Sequence, residues 1–382
     1  MQAKVIAAFK ARFGHPPQVV VRAPGRVNLI GGHTDYNEGY VLPVAVDRAA
    51  WVAAAPITAR EAFVRSLDLD MDVIIPLDAT PASDRGWADY PRSVAWALRE
   101  HGLKLAGMEA VLTSDVPVGA GLSSSAAVEV AFAYAWQQLS DFELDRRDLA
   151  LTCQRAENDY VGVNCGVMDQ MASAMGVEGH ALLLDCRTLE VELVPLPTDV
   201  VMVVADTGVR RGLATSEYNI RRAQCEQAVH LLSEHLPDIH ALRDVSLDDL
   251  KQLRVHLPDV IYRRALHVVT GNMRVTLAAK ALRQGDVATL GMLMKASHAS
   301  LRDYYEVSSP ELDALAEAAC QAPGCYGARL TGAGFGGCIV ALVAARALPD
   351  FEARVAATYE EAYGRRPEVY VCRSADGVQE VT

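Results

Sequence analysis

No apolar run in this 382-residue chain approaches the roughly 20 residues that a membrane-spanning helix needs. A spanning helix is therefore not expected. The opening segment, Met1 to Phe13, has the spacing of an amphipathic helix with Val5, Ile6, Phe9 and Phe13 inward. It lacks the long apolar centre of a secretory signal and the Ser/Arg richness of a transit peptide, so a cytoplasmic protein is expected. A basic excess is missing as well. Lys and Arg number 36 against 48 Asp and Glu, a net charge of −12 and a pI of about 5.3. That excludes a general phosphate-backbone binder, and no nucleic acid is expected as a partner. It leaves room for a nucleotide site, where local donors outweigh net charge. None of the eight cysteines (Cys153, Cys165, Cys186, Cys225, Cys320, Cys325, Cys338 and Cys372) forms a close pair at zinc-ligand spacing. They read as reduced thiols. The ten histidines are scattered, without a His-Glu-x-x-His cluster. Tandem repeats and low-complexity segments are absent.

What is present is apolar residue, 51% of the chain, enough for a substantial core in two domains or one elaborated one. Val19 to Ala23, Gly39 to Ala55 and Glu109 to Val116 are β-rich. Ala126 to Leu139 and Arg147 to Val161 have helical periodicity. A glycine-punctuated loop, Gly162 to Gly166, precedes Val167 to Met175. Ala181 to Val194 alternates like a hairpin, and Val200 to Asp206 suits a buried strand. Helical patterns dominate from Ser216 to about Leu301. The strand Cys338 to Val343, a helix Phe351 to Tyr363 and a closing strand Glu368 to Cys372 follow. The pattern predicts an α+β protein with mixed sheets and helices. The boundary is expected near residues 195 to 205, giving domains 1–200 and 201–382, with the closing strand free to pack back on the first.

Four motifs carry chemistry. In Gly119-Ala-Gly-Leu-Ser-Ser-Ser-Ala126, a loop of small residues precedes a helix whose Val128, Phe132, Ala135, Trp136 and Leu139 share a face. Free first-turn N–H groups and the positive end of the helix dipole make an anion site. Without a following Gly-Lys-Ser/Thr it is not a Walker loop. The bland reading is a strand–helix turn with Ser at the N-cap. Pro24-Gly-Arg-Val-Asn-Leu-Ile-Gly-Gly-His-Thr-Asp-Tyr-Asn37 packs Arg26, Asn28, His33, Asp35 and Asn37 into one short segment. Such side chains on a turn suit vicinal hydroxyls, although a solvated turn is the commoner meaning. Leu330-Thr-Gly-Ala-Gly-Phe-Gly-Gly-Cys338 contains a formal Gly-x-Gly-x-x-Gly at Gly332, Gly334 and Gly337. It runs into a strand rather than a helix, which excludes the dinucleotide fingerprint and predicts close backbone approach instead. In Arg155-Ala-Glu-Asn-Asp-Tyr-Val-Gly-Val-Asn-Cys-Gly-Val-Met-Asp-Gln170, Asp169 follows an apolar run where a neighbouring cation could tune it as a general base. Glu157, taken alone, reads as a surface helix residue.

In this order and spacing the motifs resemble the GHMP kinase superfamily, and within it the galactokinases, whose signature is similar to the segment from Gly25 to Asn37. Asp206-Thr-Gly-Val-Arg210, Ser216-Glu-Tyr-Asn-Ile-Arg-Arg-Ala-Gln-Cys-Glu226 and the stretch Ser297 to Leu312 resemble the same family. The similarity runs from about Val19 to Leu342. It implies two α+β domains with the active site in the cleft between them. It also implies ATP-dependent phosphorylation of galactose at its C1 hydroxyl, giving galactose 1-phosphate and ADP. Arg26 would lie by the transferred group and hold Asp169 as a carboxylate, and Asp169 would be the base. His33, Asp35, Gly166 and Tyr218 would line the sugar pocket. Gly119, Ala120, Gly121, Leu122, Ser123, Ser124 and Ser125 would wrap the phosphates of ATP. Ser125 and Glu157 would contact Mg²⁺, which prefers few protein ligands and several waters.

One position departs from the family pattern. Gly32 stands where galactokinases usually carry Glu, a residue that contacts the C6 hydroxyl of the sugar. L-Arabinose, without C6, or galacturonate, with a carboxylate there, would not need that Glu. A non-catalytic sugar sensor is the reading from another class, but Arg26, Asp169 and Ser123-Ser-Ser-Ala126 are all kept. The expected partners are sugar and ATP, in a monomer or weak homo-oligomer.

Overall fold

A computed structural model gives the fold; residues 1–83, 86–209 and 214–381 are described, 214–216 by backbone only. The first sheet has six strands, in the order Gln379–Glu380, Val19–Asn28, Pro43–Ile57, Gly107–Ser114, Glu61–Ser66, Met71–Pro76. Only the contact between Glu61–Ser66 and Gly107–Ser114 is parallel, so the sheet is mixed. Both faces are covered. On one lies the helix Ser124–Leu139, whose Phe132, Ala135 and Trp136 are fully buried among Val27, Val44, Val52 and Met108. On the other, Gln2–Phe13 sets Val5 and Phe9 against Val20, Ala53 and Val111.

The second sheet is antiparallel, in the order Cys325–Thr331, Cys338–Ala344, Val200–Asp206, Glu368–Cys372. Its inner strands are continuous apolar runs because both faces are buried. Side chains alternate between two cores, as the two-residue period of a strand requires. Met202, Val204, Cys338, Val340 and Leu342 join the first core. Val203, Ala205, Ile339, Ala341 and Val343 join a second, with Leu232, Tyr305, Leu312 and Phe351. Helices Ala214–Ser233, Asp259–Arg283, Val287–Ser300, Pro310–Gln321 and Leu348–Tyr363 complete this half. A three-stranded sheet, Tyr40–Val41, His180–Asp185 and Val191–Pro195, contains the expected hairpin. No helix among the described residues is long and apolar enough to cross a membrane.

The sequence pattern does not predict strands Glu61–Ser66, Met71–Pro76 and Cys325–Thr331 or helices Asp89–Glu100 and Pro310–Gln321. The first two form an edge hairpin with exposed apolar residues, Met71 and Ile74, so its alternation is blurred. The first strand does not stop at Pro24-Gly25. It continues to Asn28 through an irregularity between Pro24 and Arg26. There the Arg26 amide leaves the ladder to donate to the Leu122 carbonyl at 3.0 Å, which ties the strand to the Ser-rich loop.

Past Glu368–Cys372 the chain returns to the first sheet. The amides of Ala375, Gly377 and Val378 donate to the carbonyls of Ala45, Gly176 and Ser173 at 2.8–2.9 Å. Gln379 and Glu380 then pair with Arg22 and Val21.

Candidate active site

The motifs separated in sequence converge at one junction. Strand Val19–Asn28 delivers Arg26 and Asn28, and the turn after it delivers Gly32, His33 and Asp35. Helix Met168–Met175 begins with Asp169 in its first turn. A wide turn of π-helix, Ala156–Val161, carries Glu157, and helix Ala214–Ser233 carries Tyr218. These groups, with Val163, Cys165, Gly166, Met168, Gly332 and Ala333, line a cavity of about 200 Å³.

Asp169 is the best-held group in it. Arg26 donates from Nε to Oδ1 at 2.8 Å and from Nη2 to Oδ2 at 2.7 Å, the two-pronged geometry that fixes a carboxylate plane. The Ser123 hydroxyl donates to Oδ2. Arg26 also donates from Nη1 to the Gly121 carbonyl at 2.5 Å, so one side chain locks the Ser-rich loop to Asp169. Ser123 occupies the N-cap position with φ 58° and makes no side-chain cap bond, so the conventional N-cap is absent here. Its hydroxyl is spent on Asp169 instead.

Of the Ser-rich loop, Ala120 and Leu122 are buried in the core, where they anchor it. Gly119 and Gly121 both have positive φ, 72° and 68°. An ideal Cβ on Gly121 would lie 2.9 Å from the Thr331 carbonyl, and one on Gly332 3.0 Å from the Gly121 Cα. The two glycine-rich loops therefore touch backbone to backbone, the close approach their composition predicts. Ser124 and Ser125 face a second cavity of about 400 Å³, lined also by Leu69, Trp87, Tyr90, Val116, Val118 and Val128.

Glu157 is not a surface residue: it is 9% exposed. Burial, and then the nearby Asp169, push its carboxyl up to about 7. Hydrogen bonds from Cys165, Gln170 and Ser125 oppose that rise. The Gln170 amide donates to Glu157 at 2.8 Å and to Glu129 at 3.1 Å. Glu129 is fully buried, and burial, then Glu157, hold its carboxyl well above the usual range. Sequence reading missed Glu129, which sits between Val128 and Val130 and gives no signal as a lone acid in an apolar helix.

His33 is buried with φ 63°. Its Nδ1 meets the Tyr36 hydroxyl at 2.9 Å and its Nε2 the Ala333 carbonyl at 3.1 Å. Burial is the main cause holding its ring down at about 3, hence neutral. Tyr218 lies against both rings, 5.3 Å from His33 and 5.2 Å from Tyr36 between centroids. Burial, and next Asp169, push Asp35 up to about 6. Gly166 has no room for a side chain because Asp35 fills that space. Arg210 lies outside the described residues, as does the side chain of Ser216.

Among the described residues no cluster of three or more His, Cys, Asp or Glu forms a metal cage. Ser125 and Glu157, near enough for Ser125 to oppose the rise of the Glu157 carboxyl, are a sparse oxygen donor pair instead. Hard oxygen donors in small number suit Mg²⁺.

A family model for the galactokinase galactose-binding signature matches residues 7–56. Models for the GHMP kinases N terminal domain and the GHMP kinases C terminal match residues 89–177 and 278–361. A galactokinase of Roseiflexus sp. is 50% identical over 373 residues, covering 98% of this chain and 95% of its own. A galactokinase of Chloroflexus aurantiacus is 49% identical, covering 97% and 96%. The crystal structure of Lactococcus lactis galactokinase complexed with galactose superposes with a TM-score of 0.94 at 35% identity, covering 98% of each chain. A mevalonate kinase shares the fold at a TM-score of 0.63 and 17% identity, covering 94% of this chain and all of its own.

Proposed function

The chain belongs to the galactokinase family of GHMP kinases, and from that premise we propose that it transfers the γ-phosphoryl group of ATP to the C1 hydroxyl of galactose, giving galactose 1-phosphate and ADP. The observation that carries this reading is the position of Asp169, fixed between the cavity of about 200 Å³ and the Ser-rich loop. A carboxylate offers about four acceptor sites. Arg26 and Ser123 use three, which leaves one on Oδ1 for a sugar hydroxyl.

In this reading Asp169 accepts the proton of the attacking hydroxyl. Arg26 holds both its oxygens and places a positive charge beside the transferred group. Phosphoryl transfer asks for positioning and charge stabilisation rather than a covalent nucleophile, and none is needed here. The N–H groups opening helix Ser124–Leu139, exposed by Gly119 and Gly121, hold the phosphates. The adenine ring takes the adjoining apolar cavity, against Leu69, Trp87 and Val118. Mg²⁺, when bound, would neutralise charge on the phosphates, with Ser125 and Glu157 as the residues that hold it. His33, Asp35, Gly166 and Tyr218 line the sugar cavity, with the neutral His33 ring and the Asp35 carboxyl addressing its hydroxyls.

The test is an ADP-release assay over galactose, glucose, galactosamine and 2-deoxygalactose, with the product examined by phosphorus NMR. Galactose-dependent ADP release and a phosphate on the anomeric carbon are expected. Phosphorylation at any other oxygen, or no sugar-dependent ADP, would remove this reading.

A further inference from the structure

Arg329, in the strand Cys325–Thr331, stands behind the sugar cavity with its charge unanswered. It is 1% exposed, and no carboxylate among the described residues pairs with it. Among the described residues its one hydrogen bond runs from Nη1 to the Asn28 carbonyl at 3.4 Å, a long one, and Nε has no acceptor. Its charged neighbours make matters worse. After burial, Arg274 and Arg26 are what push it down, to about 9, which still leaves it cationic at neutral pH. Among the described residues Arg274 is itself without a carboxylate: Nη2 reaches only the His267 carbonyl and the Ser300 hydroxyl, and Nε has no acceptor. His267 sits between them, neutral from burial, bonded to the Gly32 carbonyl and to Ser300.

Buried guanidinium groups are ordinarily paired, because an uncompensated buried charge is strongly unfavourable. Here the place for a partner is visible. An ideal Cβ on Gly32 would overlap Nη2 of Arg329 and lie 3.5 Å from its Cζ. Any side chain at position 32 would thus run into the guanidinium, and a carboxylate there would pair with it. Gly32 supplies none, and Gly32 and Asn28 line the cavity in front of Arg329. Asn28 also keeps a buried Oδ1 without a donor. Asp35, Glu157 and Asp169 line the cavity and suit hydroxyls, whereas Arg329 lies directly behind Gly32 and outside the lining itself.

We infer that the sugar site, read as above, also accepts a galactose-type sugar with a carboxylate on its exocyclic carbon, a hexuronic acid such as galacturonate, which Arg329 recognises across Gly32. The exocyclic carbon is where a hexose can become an anion while keeping its ring hydroxyls and the anomeric hydroxyl that reacts. The transfer is unchanged. The C1 oxygen forms the new bond to the γ-phosphorus, the bond from that phosphorus to the bridging oxygen of ADP breaks, and the hydroxyl proton passes to Asp169. The sugar carboxylate takes no part in it.

The experiment compares kcat/KM for galactose, galacturonate and L-arabinose in the wild type, Gly32→Glu and Gly32→Gln. Gly32 is not among the positive-φ glycines, and the group in its way is the movable end of an arginine, so both variants should fold. In the wild type galacturonate should exceed L-arabinose by about 10–100-fold, the worth of one charge-assisted hydrogen bond. Gly32→Glu should abolish that advantage, shift the galactose-to-galacturonate ratio towards galactose, and raise the melting temperature by giving Arg329 a partner. Gly32→Gln, equal in size but neutral, should do so far less. Galactose turnover with galacturonate no better than L-arabinose would overturn the inference while leaving the kinase reading intact. So would equal effects of the two variants, or chloride-stimulated galactose turnover with galacturonate rejected, which would give Arg329 a free anion as its partner. No ADP release with any sugar would instead defeat the kinase reading itself.

Discussion

The smaller cavity, lined by Asp169, and the larger one, lined by Ser124 and Ser125, have walls of opposite character. The smaller is walled by polar groups already bonded to protein: His33 to Tyr36 and Ala333, Asp169 to Arg26 and Ser123, Glu157 to Gln170. Each has its orientation fixed before any ligand enters, so little remains to be ordered on binding. The larger is mostly apolar, and its rim includes Leu69 and Val118, 51% and 82% exposed. Apolar contact is non-directional. On the proposed function, the first cavity would discriminate among hydroxyl patterns and the second would hold a flat ring by area.

The sharpest way to break that contrast is at the junction. Asp169→Asn keeps the shape but weakens the pair with Arg26 and removes the acceptor of the proton. It should lower kcat by about 10²–10⁴-fold while sugar and ATP still bind, measured by steady-state kinetics and calorimetry. A folded variant with near-normal turnover would take Asp169 out of the chemistry.

Next in size is Asp35. Its folded value of about 6 lies above the unfolded value of roughly 4. Between those values the folded protein binds the proton more tightly, so ionisation of this group costs stability as pH rises through that window. Sugar binding through a carboxylate has the opposite sign: kcat/KM for galactose should fall as pH drops through about 6. Asp35→Asn should lower kcat/KM by about 10-fold or more, as loss of a bond to a charged group does, and flatten that limb. A pH profile unchanged by the substitution would assign the limb to another group.

Trp87→Ala probes the other cavity. Removing part of an apolar wall should raise KM for ATP several-fold, of the order expected for losing about 1 kcal/mol of contact, with KM for galactose unchanged. Equal effects on both substrates would mean that the cavities are not separate in function. The smallest effect is expected from Glu129→Gln. Burial pushes the Glu129 carboxyl well above its usual range, which favours its neutral form, so a neutral amide of the same shape should change stability by less than about 1 kcal/mol. Glu129→Ala should cost about 2–3 kcal/mol in urea melts, since it opens a cavity and leaves the Gln170 amide with one acceptor fewer.

The contrast also governs what could be read from the chain. Most of the polar cavity was legible because its ligands lie on short runs where polar types cluster between glycines: Arg26 to Asn37, Glu157 to Asp169. Runs such as Val200 to Asp206 and Cys338 to Val343 were legible because strands buried on both faces stay apolar throughout. The apolar cavity was not legible. Leu69, Trp87 and Val118 come from separate segments, and a lone half-buried tryptophan carries no pattern. Arg329 was missed for a different reason. It immediately precedes the glycine-rich run Leu330 to Cys338, and its significance depends on an absence at position 32, almost three hundred residues upstream. Only the packing of Gly32 against its guanidinium brings the two together.

The stretch that returns to the first sheet, residues 373–381, has a consequence for biosynthesis. It buttresses Val20 to Arg22, Ala45 and Ser173, and Ser173 in turn holds the Pro24 carbonyl two residues before Arg26. A nascent chain emerging from the ribosome can form the strand Val19–Asn28 early. It must then keep one edge of that strand unsatisfied while some three hundred further residues are made, because the segment that closes it has not been translated. Open strand edges invite pairing with other chains. The interval before residues 373–381 emerge is thus when an open strand edge leaves the chain most exposed to mispairing, and the strand that carries Arg26 acquires its full support only at the end of that interval.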